Sequence, residues 1–407
     1  MNAIEYSEIS RLAIKLKPSA ERMVKKSHPW IFADSIIKQS SSGKAGDVAV
    51  VFDTKTNKFL ACGLFDPDSP IKVKLLQFHE PKEINTWFFR AKINAAYTLR
   101  QTELYRGTDS YRLIFGENDG LPGLIADVYA DVLVLKLYSL IWLPYISEII
   151  EILAEITSSN AIVLRTSRIT KKGFEKVGLN NGQIVFGVLD SNVVLFKEHF
   201  LNFEADVING HKTGYFLDHR HNRKKVGKIA KDKHVLDVFS YAGGFSIHAL
   251  MGGAKSVTSI DISRKALEFA KRNAEINDIF DNKRHRIMVS DAFEALHTLI
   301  NENKKYNLVV IDPPSFAKSK LEMKKAITQY QQLVILGEKL TARNGHLVLA
   351  SCSSRIKAND FFLLTHQCLL KTERTFEIQE QTQHDFDHPI GFPEGAYLKC
   401  IYYRFYD

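Results

Sequence analysis

The sequence predicts an α/β protein whose C-terminal half is a doubly wound parallel sheet, preceded by a small β-rich module and a second α/β unit. Three observations predict it. From His234 onward, short apolar runs rich in β-branched residues alternate regularly with segments of helical periodicity, as strands and helices do in a doubly wound sheet. The first run, Val235 to Phe239, breaks into small residues at Ser240, Ala242, Gly243 and Gly244 and resumes as an apolar helical pattern through Ile247 and Leu250, which reads as strand, tight turn and helix. Residues 1–76 instead hold short strands separated by the turn-rich segments D-T-K-T-N-K and D-P-D-S-P. A chain of 407 residues has room for about two or three domains, and the pattern places them at 1–76, 77–190 and 191–407.

Composition narrows the function classes. With 45% hydrophobic and 25% charged residues the chain is ordinarily globular. No apolar run approaches the roughly 18 residues of a membrane span, and Met1 to Lys17 lacks the apolar core of a signal peptide, so a cytoplasmic protein with no membrane partner is expected. Four cysteines, Cys62, Cys352, Cys368 and Cys400, show no C-x-x-C spacing and no metal site. The net charge of +9 points to a polyanionic partner. It is concentrated between Asn209 and Lys233, where Lys212, Arg220, Arg223, Lys224, Lys225, Lys228, Lys231 and Lys233 face Asp218 and Asp232, and between Ala317 and Lys325, where four lysines face Glu322. For either run alone, a solvated helix face is the plainer account.

In chain order, Leu12 to Leu16 reads as a strand and Ser19 to Ser27 as a capped basic helix, followed by strands at Val48–Phe52, Phe59–Leu64 and Ile71–Leu76. Pro81 to Leu104 reads as a long amphipathic helix with Trp87, Phe88, Ile93 and Leu99 on its apolar side. Strands at Tyr111–Phe115, Leu124–Val128 and Val132–Tyr138, a helix near Tyr145–Ile156 and a strand at Ile162–Arg165 make up the second unit, and Gln183–Val188, Val193–Lys197 and Asn202–Val207 supply further strands. In the C-terminal half, helices are expected at Ser263–Asn277, Phe293–Asn301, Met323–Leu340 and Asp360–Leu370. Strands are expected at Ile287–Val289, Leu308–Ile311 and His346–Ala350, with Thr375–Gln381 and Tyr397–Phe405 as a terminal antiparallel pair.

The second strand of this half, Ser256 to Ile260, ends in Asp261, eighteen positions after Gly243. Glycines let backbone approach a ligand closely, and an acid at a strand tip accepts hydrogen bonds from both ribose hydroxyls, so the spacing matches a nucleoside site. The run D-V-F-S-Y-A-G-G-F lacks the three glycines of G-x-G-x-x-G, so a pyrophosphate is not the expected ligand. Its pattern, D-x-F-x-x-x-G-G-F followed by the acid, resembles the cofactor loop of class I, Rossmann-like, S-adenosylmethionine-dependent methyltransferases. The resemblance implies S-adenosylmethionine as cofactor, held by Asp237, Ser240, Tyr241, Gly243, Asp261 and Ile262, with Asp291 bonding the adenine amino group and Ala292 giving its backbone.

Asp312-Pro313-Pro314-Ser315-Phe316 directly follows an apolar strand and so lies at the carboxyl edge of the sheet. The two prolines stiffen the turn, and an acid held there accepts from an exocyclic amino group or bonds a ring nitrogen. The element resembles motif IV of base-modifying methyltransferases. One strand later comes Ala350-Ser351-Cys352-Ser353-Ser354. Carbon 5 of a pyrimidine is a poor nucleophile, and a thiolate added to carbon 6 makes carbon 5 enamine-like, which requires one cysteine beside the base. Cys352 stands where cytosine carbon-5 RNA methyltransferases carry that nucleophile; a buried, inert strand cysteine is the structural alternative.

Further segments extend the resemblance over essentially the whole chain. L-K-P-S-A-E-R-M-V-K-K-S-H-P-W-I-F resembles a PUA domain, a small RNA-binding barrel. F-G-E-N-D-G-L-P-G-L-I-A-D-V-Y-A-D-V-L-V resembles the central domain of bacterial PUA-containing ribosomal RNA methyltransferases. K-T-G-Y-F-L-D-H-R-H-N-R matches a signature of the same family nearly letter for letter, and D-H-P-I-G-F-P-E-G-A-Y-L-K is another. By that resemblance Tyr215 and Phe216 cover the cofactor, Asp312 joins Cys352 in catalysis and also borders the cofactor, and Lys212, Arg220, Lys224, Lys225, Lys318 and Lys320 meet the RNA. The implied partner is ribosomal RNA or a large-subunit assembly intermediate, and the implied product is a cytosine methylated at carbon 5 in large-subunit ribosomal RNA. A homodimer is left open. His388 is expected to be structural. The chain departs from the pattern at His219-Arg220-His221, where some members have Gln-Arg-Asp. Three other readings compete: a ribosomal RNA guanine methyltransferase, which needs no thiolate; a non-catalytic assembly protein, against which the acids Asp237, Asp261, Asp291 and Asp312 argue; and a nicotinamide dehydrogenase, which the glycine register disfavours.

Overall fold

A computed structural model describes residues 8–104, 106–317 and 320–407, and its chain divides into two units. The first comprises Met1–Lys197, Ala205–Tyr215 and Phe386–Pro393; the second comprises Glu198–Glu204, Phe216–Asp385 and Glu394–Asp407. Among the described residues no helix is long and apolar enough to cross a membrane.

The first unit carries two sheets. In the six-stranded sheet the order is Trp30–Phe32, Ile71–Phe78, Phe59–Phe65, Val48–Phe52, Arg11–Leu16 and Ile36–Gln39. Alternation decides what it buries: Leu12, Ile14, Leu16, Ala49 and Val51 face one apolar core, on which the helix Pro18–Lys25 sets Val24. Pro18 at the first helical turn loses nothing by lacking an N–H, so the helix begins one residue before its expected start. Trp30–Phe32 and Ile36–Gln39 are too short to show a period in the sequence. In the five-stranded sheet the order is Gln183–Gly187, Ala161–Thr166, Val132–Leu137, Leu124–Tyr129 and Ser110–Phe115. The helix expected from Pro81 spans Thr86–Glu103, capped by Asn85, whose side chain accepts from the Phe88 N–H. Its expected apolar side needs correcting. Trp87 is 75% exposed and Leu99 is also exposed, and the buried face is Phe88, Phe89, Ile93, Ala96 and Arg100. Arg100 joins that face because Asp119 takes its guanidinium in two bonds of 2.7 Å.

The second unit is a seven-stranded sheet, entered through helix α1 (Arg220–Ile229). In chain order follow β1 (His234–Val238), α2 (Gly244–Met251), β2 (Ser256–Asp261), α3 (Arg264–Glu275), β3 (His285–Val289), α4 (Ala292–Asn301), β4 (Tyr306–Ile311), α5 (Met323–Leu340), β5 (Thr341–Ser351), α6 (Ala358–Leu369), β6 (Phe376–Thr382) and β7 (Lys399–Phe405). The spatial order is β3-β2-β1-β4-β5-β7-β6, with β1 to β5 parallel and β7 antiparallel to both its neighbours. Both faces are covered, which is why β4 is a continuous apolar run. Its Val309 and Ile311 join one core with Leu296 of α4 and Leu333 of α5, and its Leu308 and Val310 join another with Val226 of α1 and Ala249 of α2. The doubly wound fold is as expected. Strand order reverses between β1 and β4, so the crevice at their carboxyl ends is where this architecture places a ligand. Ser240, Asp261, Asp291, Asp312 and Cys352 all lie at or just beyond those strand ends.

Candidate active site

The loop after β1 is held in a shape few residues tolerate. Phe239, Tyr241 and Gly243 have φ of 64°, 49° and 76°. A Cβ on Gly243 would sit 2.8 Å from Ala270 Cβ of α3, so this glycine serves both the turn and the close approach of the helix. Asn273 of α3 donates to the Ala242 carbonyl at 2.9 Å. At the tip of β2, Asp261 accepts from the Tyr241 N–H at 3.0 Å through one oxygen and from the Ser263 N–H at 2.8 Å through the other, which ties the loop to the second strand.

Around this loop lie groups that a ligand could use. Asp237 is buried; one oxygen accepts from Ser246 at 2.6 Å, and the other has no partner among the described residues. Burial, opposed by Ser246 and aided by the charges of Asp312 and Asp261, pushes its carboxyl up to about 7. Ser240 Oγ is likewise buried without a partner among the described residues. Ile262, next to Asp261, is 72% exposed. Asp291 caps α4, accepting from Phe293 N–H at 2.9 Å and Glu294 N–H at 3.3 Å, and buried Ala292 begins that helix. Two unsatisfied polar atoms, a strand-tip acid and an exposed apolar side chain suit a nucleoside carrying a charged amino-acid tail, so the residues present fit S-adenosylmethionine.

The signature before α1 is a scaffold. Arg223 meets Glu198 through two bonds of 2.7 and 2.6 Å and donates to the Phe216 carbonyl at 2.9 Å. Phe216 sets its ring against Tyr241, centroids 5.0 Å apart. Asp218 accepts from the Tyr397 hydroxyl at 2.7 Å. Tyr215 belongs to the first unit, where its ring packs on Phe196 and its N–H meets the Tyr129 hydroxyl. The basic run is less available than its count implies. Arg220, expected at the RNA, is fully buried, 3.4 Å from Asp385 and 4.0 Å from Glu198, which corrects that expectation: a guanidinium closed in by carboxylates offers nothing to a phosphate. Lys225 pairs with Glu380, Lys224 is half-buried, and Lys212 lies in the first unit, its carbonyl accepting from Lys136. Lys318 and the side chain of Lys320 lie outside the described residues. His388 is buried against Asp387 within the first unit.

Asp312 follows β4, its N–H reaching the Val238 carbonyl at 3.3 Å, and Cys352 follows β5. Their side chains meet: Cys352 Sγ is 3.8 Å from Asp312 Oδ1. Cys62, Cys368 and Cys400 are buried, and burial pushes each of those thiols up, whereas Cys352 is half-buried. A third residue, visible in the sequence only as a departure from the family pattern, completes the group. His219 Nε2 lies 3.3 Å from Asp312 Oδ1 and 3.6 Å from Cys352 Sγ. Burial works against the His219 cation, Asp312 by charge and hydrogen bond and then Asp218 work for it, and the balance is upward. A thiol, an acid and an imidazole converging beside a nucleoside loop are equipped for nucleophilic addition to a base.

Residues 190–386 match the model of an S-adenosylmethionine-dependent methyltransferase family, and residues 14–78 match that of a PUA-like domain. A ribosomal RNA large subunit methyltransferase of Deinococcus radiodurans is 37% identical over 401 residues, covering 97% of this chain and 98% of that protein. The ribosomal RNA large subunit methyltransferase I of Alteromonas mediterranea is 34% identical over 393 residues, covering 95% and 97%. A solved structure from Streptococcus mutans, described as a SAM-dependent methyltransferase, shares the fold, with a TM-score of 0.82 at 20% identity, covering 96% of this chain and 99% of that one. With two family models matched in order and relatives aligned along nearly their full length, the chain belongs to the S-adenosylmethionine-dependent methyltransferases, in the family of the ribosomal RNA large subunit methyltransferases.

Proposed function

We propose that this enzyme methylates carbon 5 of a cytosine in large-subunit ribosomal RNA, using Cys352 as nucleophile. The observation that carries it is the half-buried Cys352 sulfur 3.8 Å from Asp312, at the strand ends that border the nucleoside loop. S-adenosylmethionine, when bound, supplies the methyl group. Asp261 would accept its ribose hydroxyls, Ile262 would line the adenine with Asp291 and Ala292 at its edge, and Asp237, Ser240, Tyr241, Gly243 and Phe216 would surround the rest. Asp312 orients and polarises the cytosine. The Cys352 thiolate adds to carbon 6, carbon 5 gains enamine character and takes the methyl group, the carbon-5 proton passes to a water molecule, and the C–H electron pair restores the ring double bond as the sulfur departs as thiolate. The names of the relatives support the substrate class, and the PUA-like segment supports an RNA-binding module; the reading keeps module boundaries near 76 and 190 and a cytoplasmic reaction. A guanine methyltransferase would have no use for a thiol beside Asp312.

The test uses undermodified ribosomal RNA in which cytosine is replaced by 5-fluorocytosine. That base has no carbon-5 proton, so a covalent enzyme–RNA adduct should accumulate after methyl transfer. Cys352→Ser should abolish both adduct and methylation while leaving cofactor affinity nearly intact. Methylation by Cys352→Ser at close to the wild-type rate would overturn the reading in favour of guanine or exocyclic chemistry.

A further inference from the structure

We propose that His219 is the hydrogen-bond donor that lets Cys352 exist as a thiolate beside the Asp312 carboxylate. The inference rests on Cys352 being the nucleophile. Two negative groups 3.8 Å apart oppose each other, so a sulfur placed there needs a compensating donor. The ring that faces both is His219, 3.3 Å from one and 3.6 Å from the other through the same nitrogen, Nε2.

Its neighbours decide which nitrogen carries the hydrogen. His219 Nδ1 lies 3.2 Å from the Asn222 amide nitrogen. Asn222 cannot turn over at no cost, because its amide oxygen accepts from the Thr382 hydroxyl at 2.6 Å and from the Tyr402 hydroxyl at 3.0 Å. The amide nitrogen therefore points at the imidazole, Nδ1 accepts, and the hydrogen sits on Nε2, aimed at Asp312 and Cys352. The edge of the Phe245 ring, 5.5 Å away, fixes the plane. Asp312 and Asp218 draw His219 toward a second proton, with Arg223 opposing, but that proton would have to enter at Nδ1 against the Asn222 amide hydrogens. His219 is thus a positioning residue that donates; it carries no proton away. The thiol proton leaves to solvent through the half-buried face of Cys352. Lys399, whose amine donates to the carbonyls of Ser353 and Ile356, is a cation electrostatically linked to the sulfur. Glutamine at this position would offer an N–H without titrating.

The experiment compares His219→Leu, which has no donor, with His219→Gln, which keeps one, in the full-length enzyme. The readouts are the pH dependence of Cys352 alkylation, taken as the difference from Cys352→Ser, and adduct formation with 5-fluorocytosine RNA. The expected result is a move of the alkylation midpoint to higher pH in His219→Leu, slowing alkylation near neutral pH about tenfold for each pH unit that the midpoint rises, with His219→Gln within about threefold of wild type. Cofactor affinity should be unchanged in both, which separates the effect from misfolding. Alkylation of His219→Leu at the wild-type rate and midpoint would overturn the proposal even if wild type forms the adduct. Equal slowing in His219→Gln and His219→Leu would also overturn it, because a titrating imidazole would then be the requirement. Slowed alkylation in His219→Leu alone, with no adduct in wild type, would uphold the donor role and remove the carbon-5 reading instead.

Discussion

Replacing Glu198 with glutamine removes a charge that holds the signature turn. Glu198 is fully buried, accepts from Arg223 at 2.7 and 2.6 Å and from His248 at 2.9 Å, and has Arg220 at 4.0 Å. Burial alone would raise its carboxyl, but the Arg223 charge and hydrogen bonds, with His248, hold it well below the usual range, so its contribution is fully present above the ordinary carboxylate range and is lost progressively as pH falls from there through the depressed folded value. In Glu198→Gln an amide N–H faces the buried Arg223 guanidinium in place of a carboxylate, and breaking a buried pair in this way costs about 3–5 kcal/mol. For a unit of roughly 190 residues each kcal/mol lowers the melting temperature by about 2–4 °C, so a fall of about 6–20 °C is expected. Differential scanning fluorimetry at neutral pH measures it, and Arg223→Met with the double variant completes a cycle in which the second change should cost much less than the first. A fall below about 2 °C, or additive costs in the cycle, would refute the assignment of this pair as the anchor of the turn.

Asp237 gives a pH signature of opposite sign. Its folded carboxyl titrates at about 7 against an ordinary value near 4, so the native state keeps a proton that the unfolded chain releases, and that contribution to stability fades as pH rises from about 4 to 7. Asp237→Asn should therefore gain on wild type by roughly 1.4 kcal/mol per pH unit across that window, to about 4 kcal/mol, and then level off; denaturant unfolding from about pH 5 to pH 8 reads it, and a constant gap would contradict the burial argument. Asp261→Ala should weaken S-adenosylmethionine binding by about 2 kcal/mol, roughly thirtyfold by calorimetry, through loss of charge-assisted bonds to the ribose; an unchanged affinity would take the ribose away from Asp261. Charge reversal at Lys224 and Lys228 should flatten the salt dependence of RNA affinity, by about one in the log–log slope for each phosphate no longer neutralised, whereas Arg220→Gln should leave the slope alone and lower the melting temperature; a changed slope for Arg220→Gln would restore it to the RNA surface.

What the sequence displayed and what it hid follow from range. The β1 loop, Asp261, Asp312 and Cys352 were legible because each directly follows a strand whose apolar run marks it, and a doubly wound sheet brings successive strand ends to one edge whatever the side chains around them do. His219 was not, since its role depends on Cys352, 133 positions away, and on an amide whose orientation is set by Thr382 and Tyr402. Trp87 and Leu99 were misplaced because an apolar residue and an apolar face are different things: the face includes Arg100, which no hydrophobic pattern would include, and its burial is compensated by Asp119 and by the Arg112 carbonyl. Arg220 misled for the same reason, its acid Asp385 lying 165 positions on.

The basic signature is thereby better understood as machinery for aiming than as an electrostatic surface. Its side chains diverge from one turn. Arg223 fixes the Phe216 carbonyl and with it a ring against Tyr241 of the cofactor loop; Asp218 anchors the turn to Tyr397; Asn222 sets the His219 ring; and Arg220 closes on Asp385. Of the charges in this run, Arg220, Arg223 and Lys225 are each matched by a carboxylate, so a count of basic residues overstates what the segment can offer a phosphate. A fixed set of charge pairs holds an imidazole to within a few ångströms of two reactive groups better than a solvated loop would, because the Arg220 and Arg223 pairs are buried and neither can be exchanged for water without cost. The buried Arg220 and Arg223 pairs of this stretch thus fix the turn that carries Phe216 and His219, directly before the cofactor loop, while its remaining lysines stay outside those pairs.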